Sequence, residues 1–374
     1  MQKGKASISF ERPPVLLAAA SIVGEKEGDG PLARCFDRIE PDPMLGKSSW
    51  EEAESELQRQ TALRCLEKAG LKEGDIRYLF AGDLLGQIVA TCFGTEELEI
   101  PFFGLYGACS TMGEAIMLGA MTVNAGYGDR VMAMASSHFA SAERQFRFPL
   151  AYGNQRPLST TWTVTGCGSV IIEHEGNGNA GLEERVRSQK TGAEGSQHRE
   201  LSQQSMGGNP NNSGPYAKII GVTTGKIVDM QLKDSMNMGA AMAVAAVDTI
   251  LQNFRDFGVE PSYYDRIITG DLGAVGQNIL FDFMDQAGYD VRGIHMDCGM
   301  VIYDSASQDT HSGGSGCGCA AVTLCGYILP KIKSGEWKRV LFIPTGALLS
   351  QISFNEGQPV SGIAHAVMLE HIAP

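Results

Sequence analysis

Residues 70–84 repeat, without a gap, 188 positions later. Gly70-Leu-Lys-Glu-Gly-Asp-Ile-Arg-Tyr-Leu-Phe-Ala-Gly-Asp-Leu84 matches Gly258-Val-Glu-Pro-Ser-Tyr-Tyr-Asp-Arg-Ile-Ile-Thr-Gly-Asp-Leu272 at both ends, Gly70 to Gly258 and Gly82 to Gly270. A second set of matches has a constant offset of 209: Gly107 with Gly316, Gly126 with Gly335, Arg130-Val131 with Arg339-Val340. Each half reads as helix, strand ending in Gly-Asp-Leu, glycine turn, helix, strand. Helices alternating with apolar strands predict α/β layering, and two such halves predict a pseudo-twofold. Both glycine turns and a Gly-Asp-Leu end then meet near the shared interface.

The first glycine turn, Gly104-Leu-Tyr-Gly-Ala-Cys109, runs straight into an apolar helical pattern at Met112, Ala115, Ile116, Gly119 and Ala120. Cys109 therefore sits at a tight bend where a helix starts. Free N–H groups and the helix dipole there lower a thiol's pKa and attract anions. The position suits a nucleophile or an anionic ligand, against the plain alternative of a buried core cysteine.

The net charge of −13 argues against a general nucleic-acid binder, which needs a basic face. Nine scattered cysteines read as reduced thiols, with neither a disulfide framework nor metal-site spacing. The opening residues lack the apolar core of a signal peptide, and no run approaches a membrane span; the expectation is a soluble or peripheral protein. Further elements are a helix from Ser48, capped through Glu51, to Lys68, a helix from about 235 to 257, a strand at 266–270 and a helix from 276 to 287. Residues 173–214 are rich in Gly, Asn, Gln and Ser and poor in large apolar residues, and read as a flexible insertion between halves 1–172 and 215–374.

A duplicated α/β chain with Cys at the first glycine turn resembles the thiolase-like fold of ketoacyl synthases and thiolases. That resemblance implies two pseudo-twofold-related halves in a five-layer α-β-α-β-α arrangement and a homodimer. Phe103–Met112, Ile267–Gly273, His311–Cys319 and Thr345–Ser350 are similar to the stage V sporulation protein AD family of spore-forming bacteria. This implies a non-enzymatic role: binding dipicolinic acid (pyridine-2,6-dicarboxylate), free or as its calcium chelate, and helping its uptake into the developing spore. It also implies peripheral attachment to the spore inner membrane through membrane proteins of the same operon.

Site chemistry divides the two resemblances. Condensing enzymes pair the Cys nucleophile with imidazole or amide donors that hold the thioester oxyanion. Gly270 or Asp271 stands where ketoacyl synthases of the nearest type place the catalytic His, and a carboxylate there repels an oxyanion. The expected ligand site is Cys109, Asp271, His311, Gly314 and Lys226, with Arg147 and Arg156 as further cations, His138 and His365 as structural residues, and Asp83 as a turn former. An acyl-thioester condensing enzyme using Cys109 is the competing reading. No protein-bound cofactor or metal is expected.

Overall fold

Alternation along the strands sets the layers. The computed structural model describes residues 1–146, 155–175 and 214–373; Arg147 and most of the expected 173–214 insertion lie outside them. In the first half the main-sheet strands that set the order are β1 (Val15–Gly24), β2 (Tyr78–Gly82), β3 (Phe102–Gly104), β4 (Arg130–Ser137) and β5 (Gly166–Glu173). In the second they are β6 (Ala217–Thr223), β7 (Arg266–Thr269), β8 (His295–Asp297), β9 (Arg339–Ile343) and β10 (Ala366–Glu370). The first half is ordered β3-β2-β4-β5-β1 and the second β8-β7-β9-β10-β6. Adding five to each label of one order yields the other. The directions agree as well: β2 is parallel to β3 and β4, β7 to β8 and β9, and the β4–β5, β5–β1, β9–β10 and β10–β6 pairs are antiparallel. The runs join where β6 meets β1, at Ala217–Leu16 and Lys218–Val15.

Successive strand residues point to opposite faces, so each run buries two surfaces. Val131, Ala133 and Ala135 of β4, with Val340 and Phe342 of β9, enter one central core, together with helices α2 (Thr111–Asn124) and α5 (Cys317–Thr323). Met132 and Met134 point the other way, onto helix α1 (Trp50–Ala69). Leu341 and Ile343 pack on helices α3 (Met238–Phe257) and α4 (Gly273–Gln286). The layers are therefore α1, first sheet, α2 with α5, second sheet, α3 with α4, the thiolase-like arrangement. All seven residues of α5 are buried, as a helix sandwiched between two sheets requires.

Helix starts differ slightly from expectation. Ser49, not Ser48, caps α1, its Oγ accepting the Glu52 N–H at 3.3 Å while Ser48 Oγ donates back to the Glu52 carboxylate at 2.7 Å. Adjacent serines both satisfy a capping pattern, so spacing alone could not choose. α4 starts at Gly273, three residues early, where φ of +63° suits glycine and the Asp297 carboxylate accepts its N–H at 3.1 Å.

Within the first half, the strand end and the turn that follows touch closely at a glycine. A Cβ on Gly82 would stand 2.0 Å from the Leu105 carbonyl oxygen, whose residue is itself held by Leu105 N–H to Ala81 O at 2.9 Å. Gly82→Val is expected to cost about 3 kcal/mol or more; the urea unfolding midpoint measures it, and an unchanged midpoint would mean that the 105–109 turn shifts freely.

Candidate functional site

The turn at Cys109 is locally strained. Ala108 has φ of +50°, a conformation that costs an alanine about 1 kcal/mol. Residues 108–110 form one tight helical turn that passes into α2 at Thr111. Ser110 Oγ and Thr111 Oγ1 donate back to the carbonyls of Gly107 (2.6 Å) and Ala108 (2.7 Å), which holds the bend. From the second half, the hairpin Thr345–Leu348 with Ser361–Ala364 presses on the same turn: a Cβ on Gly346 would lie 2.7 Å from Gly107 O and 3.3 Å from Cys109 N.

Asp271 follows β7 and is fully buried. Its carboxylate accepts the Gly316 N–H at 3.0 Å and the Thr345 hydroxyl at 2.8 Å, and the Cys109 thiol stands near it in the same cavity wall. Gly316, at φ of +98°, opens α5. One carboxyl group thus ties the second glycine turn and the hairpin together beside the thiol. Burial pushes Asp271 up to about 7, against the pull of the Thr345 and Gly316 hydrogen bonds. Burial first, then the Asp271 charge, pushes the Cys109 thiol well above its ordinary range. The dipole of α2 favours thiolate, but desolvation and a neighbouring carboxylate outweigh it.

Cys109 and Asp271 line a cavity of about 330 Å³. Its walls are mainly apolar, from Leu84, Tyr106, Phe146, Met238, Met242 and Leu348, with the hydroxyl residues Thr163, Ser315, Ser350 and Ser353 among them. The lining contains two carboxyl residues, Asp271 and Glu143, and no Lys, Arg or His among the described residues.

Of the expected site residues the structure brings Cys109 and Asp271 together and leaves three apart. Lys226 is exposed and paired with Asp248 at 2.8 Å. His311 bonds the Pro157 carbonyl at 3.0 Å and faces Asp309 at 3.2 Å, outside the lining. Gly314 pairs with Trp162 in a short strand and faces Ile302 and Tyr303, while its neighbours Ser315 and Gly316 reach the cavity. Arg156 binds Asp309 and lies over Trp162. His138 and His365 are buried against backbone, at Pro43 O and Gly225 N–H. Asp83 accepts the N–H of Leu85 two residues on, as a turn former does; Asp271 reaches across the fold instead. Sequence reasoning missed Glu143 and Thr345. Thr345 falls within a segment already singled out, but its pairing with Asp271 spans 74 residues and has no local signal.

The family model for stage V sporulation protein AD (SpoVAD) matches residues 4–370. The chain belongs to the stage V sporulation protein AD family. It is 37% identical over 367 residues to stage V sporulation protein AD of Bacillus subtilis (strain 168), covering 98% of this chain and 97% of that protein. Solved structures similar to this family member include 3-oxoacyl-[acyl-carrier-protein] synthase III from Aquifex aeolicus VF5, with TM-score 0.53, 11% identity and coverage of 96% of this chain and 99% of that one. Human mitochondrial 3-ketoacyl-CoA thiolase in complex with CoA is similar at TM-score 0.55 and 11% identity, covering 98% and 100%. At such identities the likeness establishes the thiolase-like fold alone. This SpoVAD-family chain is thus a sporulation protein on a fold that elsewhere carries enzymes.

Proposed function

We propose that this SpoVAD-family chain binds dipicolinate in the Cys109–Asp271 cavity without transforming it, and that binding serves uptake of the compound into the developing spore. The observation that carries the reading is the buried Asp271 carboxyl beside the Cys109 thiol in one cavity, where burial and that carboxyl keep the proton on sulfur. A condensing site needs the opposite: a base that takes the thiol proton and donors for an oxyanion. Here the thiol proton is held, and the groups at the cavity floor suit capture. A cavity of about 330 Å³ is at the small end of ligand sites and suits a single flat ring with two carboxyl groups. Apolar walls take the ring faces; hydroxyls and protonated Asp271 offer donors to the carboxylates. With two acids and no base in the described lining, the dianion enters alongside a protonated Asp271 or as a calcium chelate.

The expected location is the spore inner membrane. No described helix is long and apolar enough to cross a membrane, so attachment would run through membrane proteins encoded in the same operon. A second copy of the chain is the other proposed partner. β3 ends the sheet order, and Phe103 and Tyr106 beside that open edge are 51% and 55% exposed. An open edge carrying aromatics is a pairing surface. Phe103→Asp is expected to shift the species in sedimentation velocity from twice 40.0 kDa to the monomer; a monomeric wild type would overturn the dimer.

Calorimetry with dipicolinate, with and without Ca²⁺, tests the main reading. Ala347, in the lining, can be enlarged to block the cavity. Ala347→Phe is expected to weaken binding by at least about tenfold, and Cys109→Ala to weaken it while the protein folds normally. Unchanged affinity in both variants would place the ligand elsewhere.

A further inference from the structure

The duplication reaches beyond the strands to the walls of the cavity. α1 and α3 are each 20 residues long, begin 188 positions apart at Trp50 and Met238, and end on left-handed Gly70 and Gly258. Ser49 and Asn237 cap them alike, each side chain accepting the N–H three residues on. Strand pairing keeps both offsets: Tyr78 pairs with Val131, and Arg266 with Val340. Second-half residues around Asp271 therefore have equivalents in the first half. Asp83 matches Asp271, Trp50 matches Met238, Glu54 matches Met242, His138 matches Ala347 and Ser141 matches Ser350.

In the first half these positions are filled by the chain's own side chains. The Trp50 and His138 rings lie 5.5 Å apart at a tilt of 34°. Glu54 is 0% exposed. Its carboxylate accepts the hydroxyls of Ser136 at 2.8 Å and Ser141 at 2.9 Å, one on each oxygen. The Gln58 amide, one turn along α1, donates to Ser136 Oγ at 2.7 Å and to Thr91 Oγ1 at 2.9 Å, and Thr91 Oγ1 donates to Asp83 at 2.5 Å. Two rings and one hydroxyl-held carboxylate beside an aspartate are the chemical parts of an aromatic acid. In the second half slimmer or uncharged groups stand at the matching places, and Met238, Met242, Ala347 and Ser350 all line the cavity. Ser350 caps the helix Gln351–Asn355, and its hydroxyl donates to Ser353 Oγ at 3.2 Å. That is long for an O–H···O bond, and a carboxylate is the stronger acceptor.

We propose that the first half carries an internal likeness of the ligand, and that the second half seats the ligand in the same way. The ring of dipicolinate takes the place of the Trp50 and His138 rings, against Met238 and Ala347. One carboxylate takes the seat of the Glu54 carboxylate, against Met242, and the Ser350 hydroxyl donates to it as Ser141 donates to Glu54. Ser350 is thus a ligand contact, and Met242 is the position that keeps the seat open. The assignment rests on the dipicolinate reading of the cavity and adds which residues hold which part of the ligand. Burial first, then the Asp83 charge, pushes Glu54 up to about 8. A carboxyl group in such a seat retains a proton near neutral pH, so the seated carboxylate and Asp271 share one.

The test is calorimetric titration of the full-length chain with dipicolinate at pH 6.5, comparing variants at matching positions of the two halves. Met242→Glu rebuilds in the second half the carboxylate that fills the first, and is expected to abolish binding. Ser350→Ala removes one neutral donor and is expected to weaken binding at least about tenfold, the scale of a hydrogen bond to a charged acceptor; it keeps the test decisive if Met242→Glu does not fold. Ser350→Thr keeps both the donor and the cap and is expected to bind as wild type does. Ser141→Ala, the matching change in the first half, is expected to leave affinity unchanged. Binding lost in Ala347→Phe but equal to wild type in Met242→Glu and Ser350→Ala would overturn the seat and leave the cavity reading standing. Wild-type affinity in all three would overturn both. Weaker binding in Ser141→Ala than in Ser350→Ala would overturn the proposal by placing the ligand in the first half.

Discussion

Asp271→Asn is expected to raise stability at pH 8 by about 2–4 kcal/mol, because one pKa unit is worth about 1.4 kcal/mol and burial lifts this carboxyl by about three. The direction follows from linkage. A carboxyl whose folded pKa is raised favours the folded state while neutral, fully so below its unfolded value near 4. That contribution is lost as pH rises through the folded value of about 7. The asparagine variant has no such loss, so the two urea unfolding midpoints should coincide near pH 4, separate up to about pH 7 and stay apart by a constant amount at pH 8. The same substitution tests the ligand reading. Dipicolinate is a dianion throughout pH 6–8, so wild-type affinity should fall by up to about tenfold per unit above pH 7 as Asp271 ionises. Asp271→Asn should bind with little pH dependence. Parallel binding profiles for the two proteins would remove Asp271 from the site.

Much of the architecture could be read from the duplication, because it reports on both levels at once. An offset of 188 placed the ends of β2 and β7 as equivalents, and an offset of 209 did so for the turns ahead of α2 and α5. Strand order and direction then agree between halves. What the repeat could not separate is the fate of equivalent residues. Asp83 and Asp271 occupy matching positions, yet Asp83 folds back on Leu85 and Thr91, whereas Asp271 bonds Gly316 and Thr345, 45 and 74 residues away. Those partners depend on which loop packs over each strand end, and no local spacing encodes that. The cationic candidates went astray for a related reason. Lys226 and His311 stand near glycine turns in the chain, but each turn directs its side chain to a nearby acid, Asp248 or Asp309, outside the cavity lining. Glu54 and Gln58 were hidden differently. On α1 they look like members of an acidic helix, and only the packing of four other segments against that face turns them into a buried cluster.

Cys109 should alkylate with iodoacetamide at pH 7.5 at least ~100-fold more slowly than Cys92 of the same chain, because thiolate is the reactive form and its fraction falls tenfold for each unit of pKa. Cys92 is exposed and Cys109 buried, so slow reaction alone would mix access with chemistry. Two substitutions at the neighbouring position separate them. Asp271→Asn removes the carboxylate and should raise the Cys109 rate modestly. Asp271→His places an imidazole beside the thiol and should raise it further, with a pH dependence set by the imidazole. Peptide mass spectrometry reads Cys92 and Cys109 separately in each sample, and intact mass after acyl-CoA tests acylation. The binding reading expects no acyl adduct on wild type. An adduct on wild type that disappears in Cys109→Ala would restore the condensing-enzyme reading. A Cys109 as unreactive in Asp271→His as in wild type would show that burial, not the carboxylate, silences the thiol. The reading in which the Asp271 carboxyl keeps Cys109 from acting as a nucleophile would then fail.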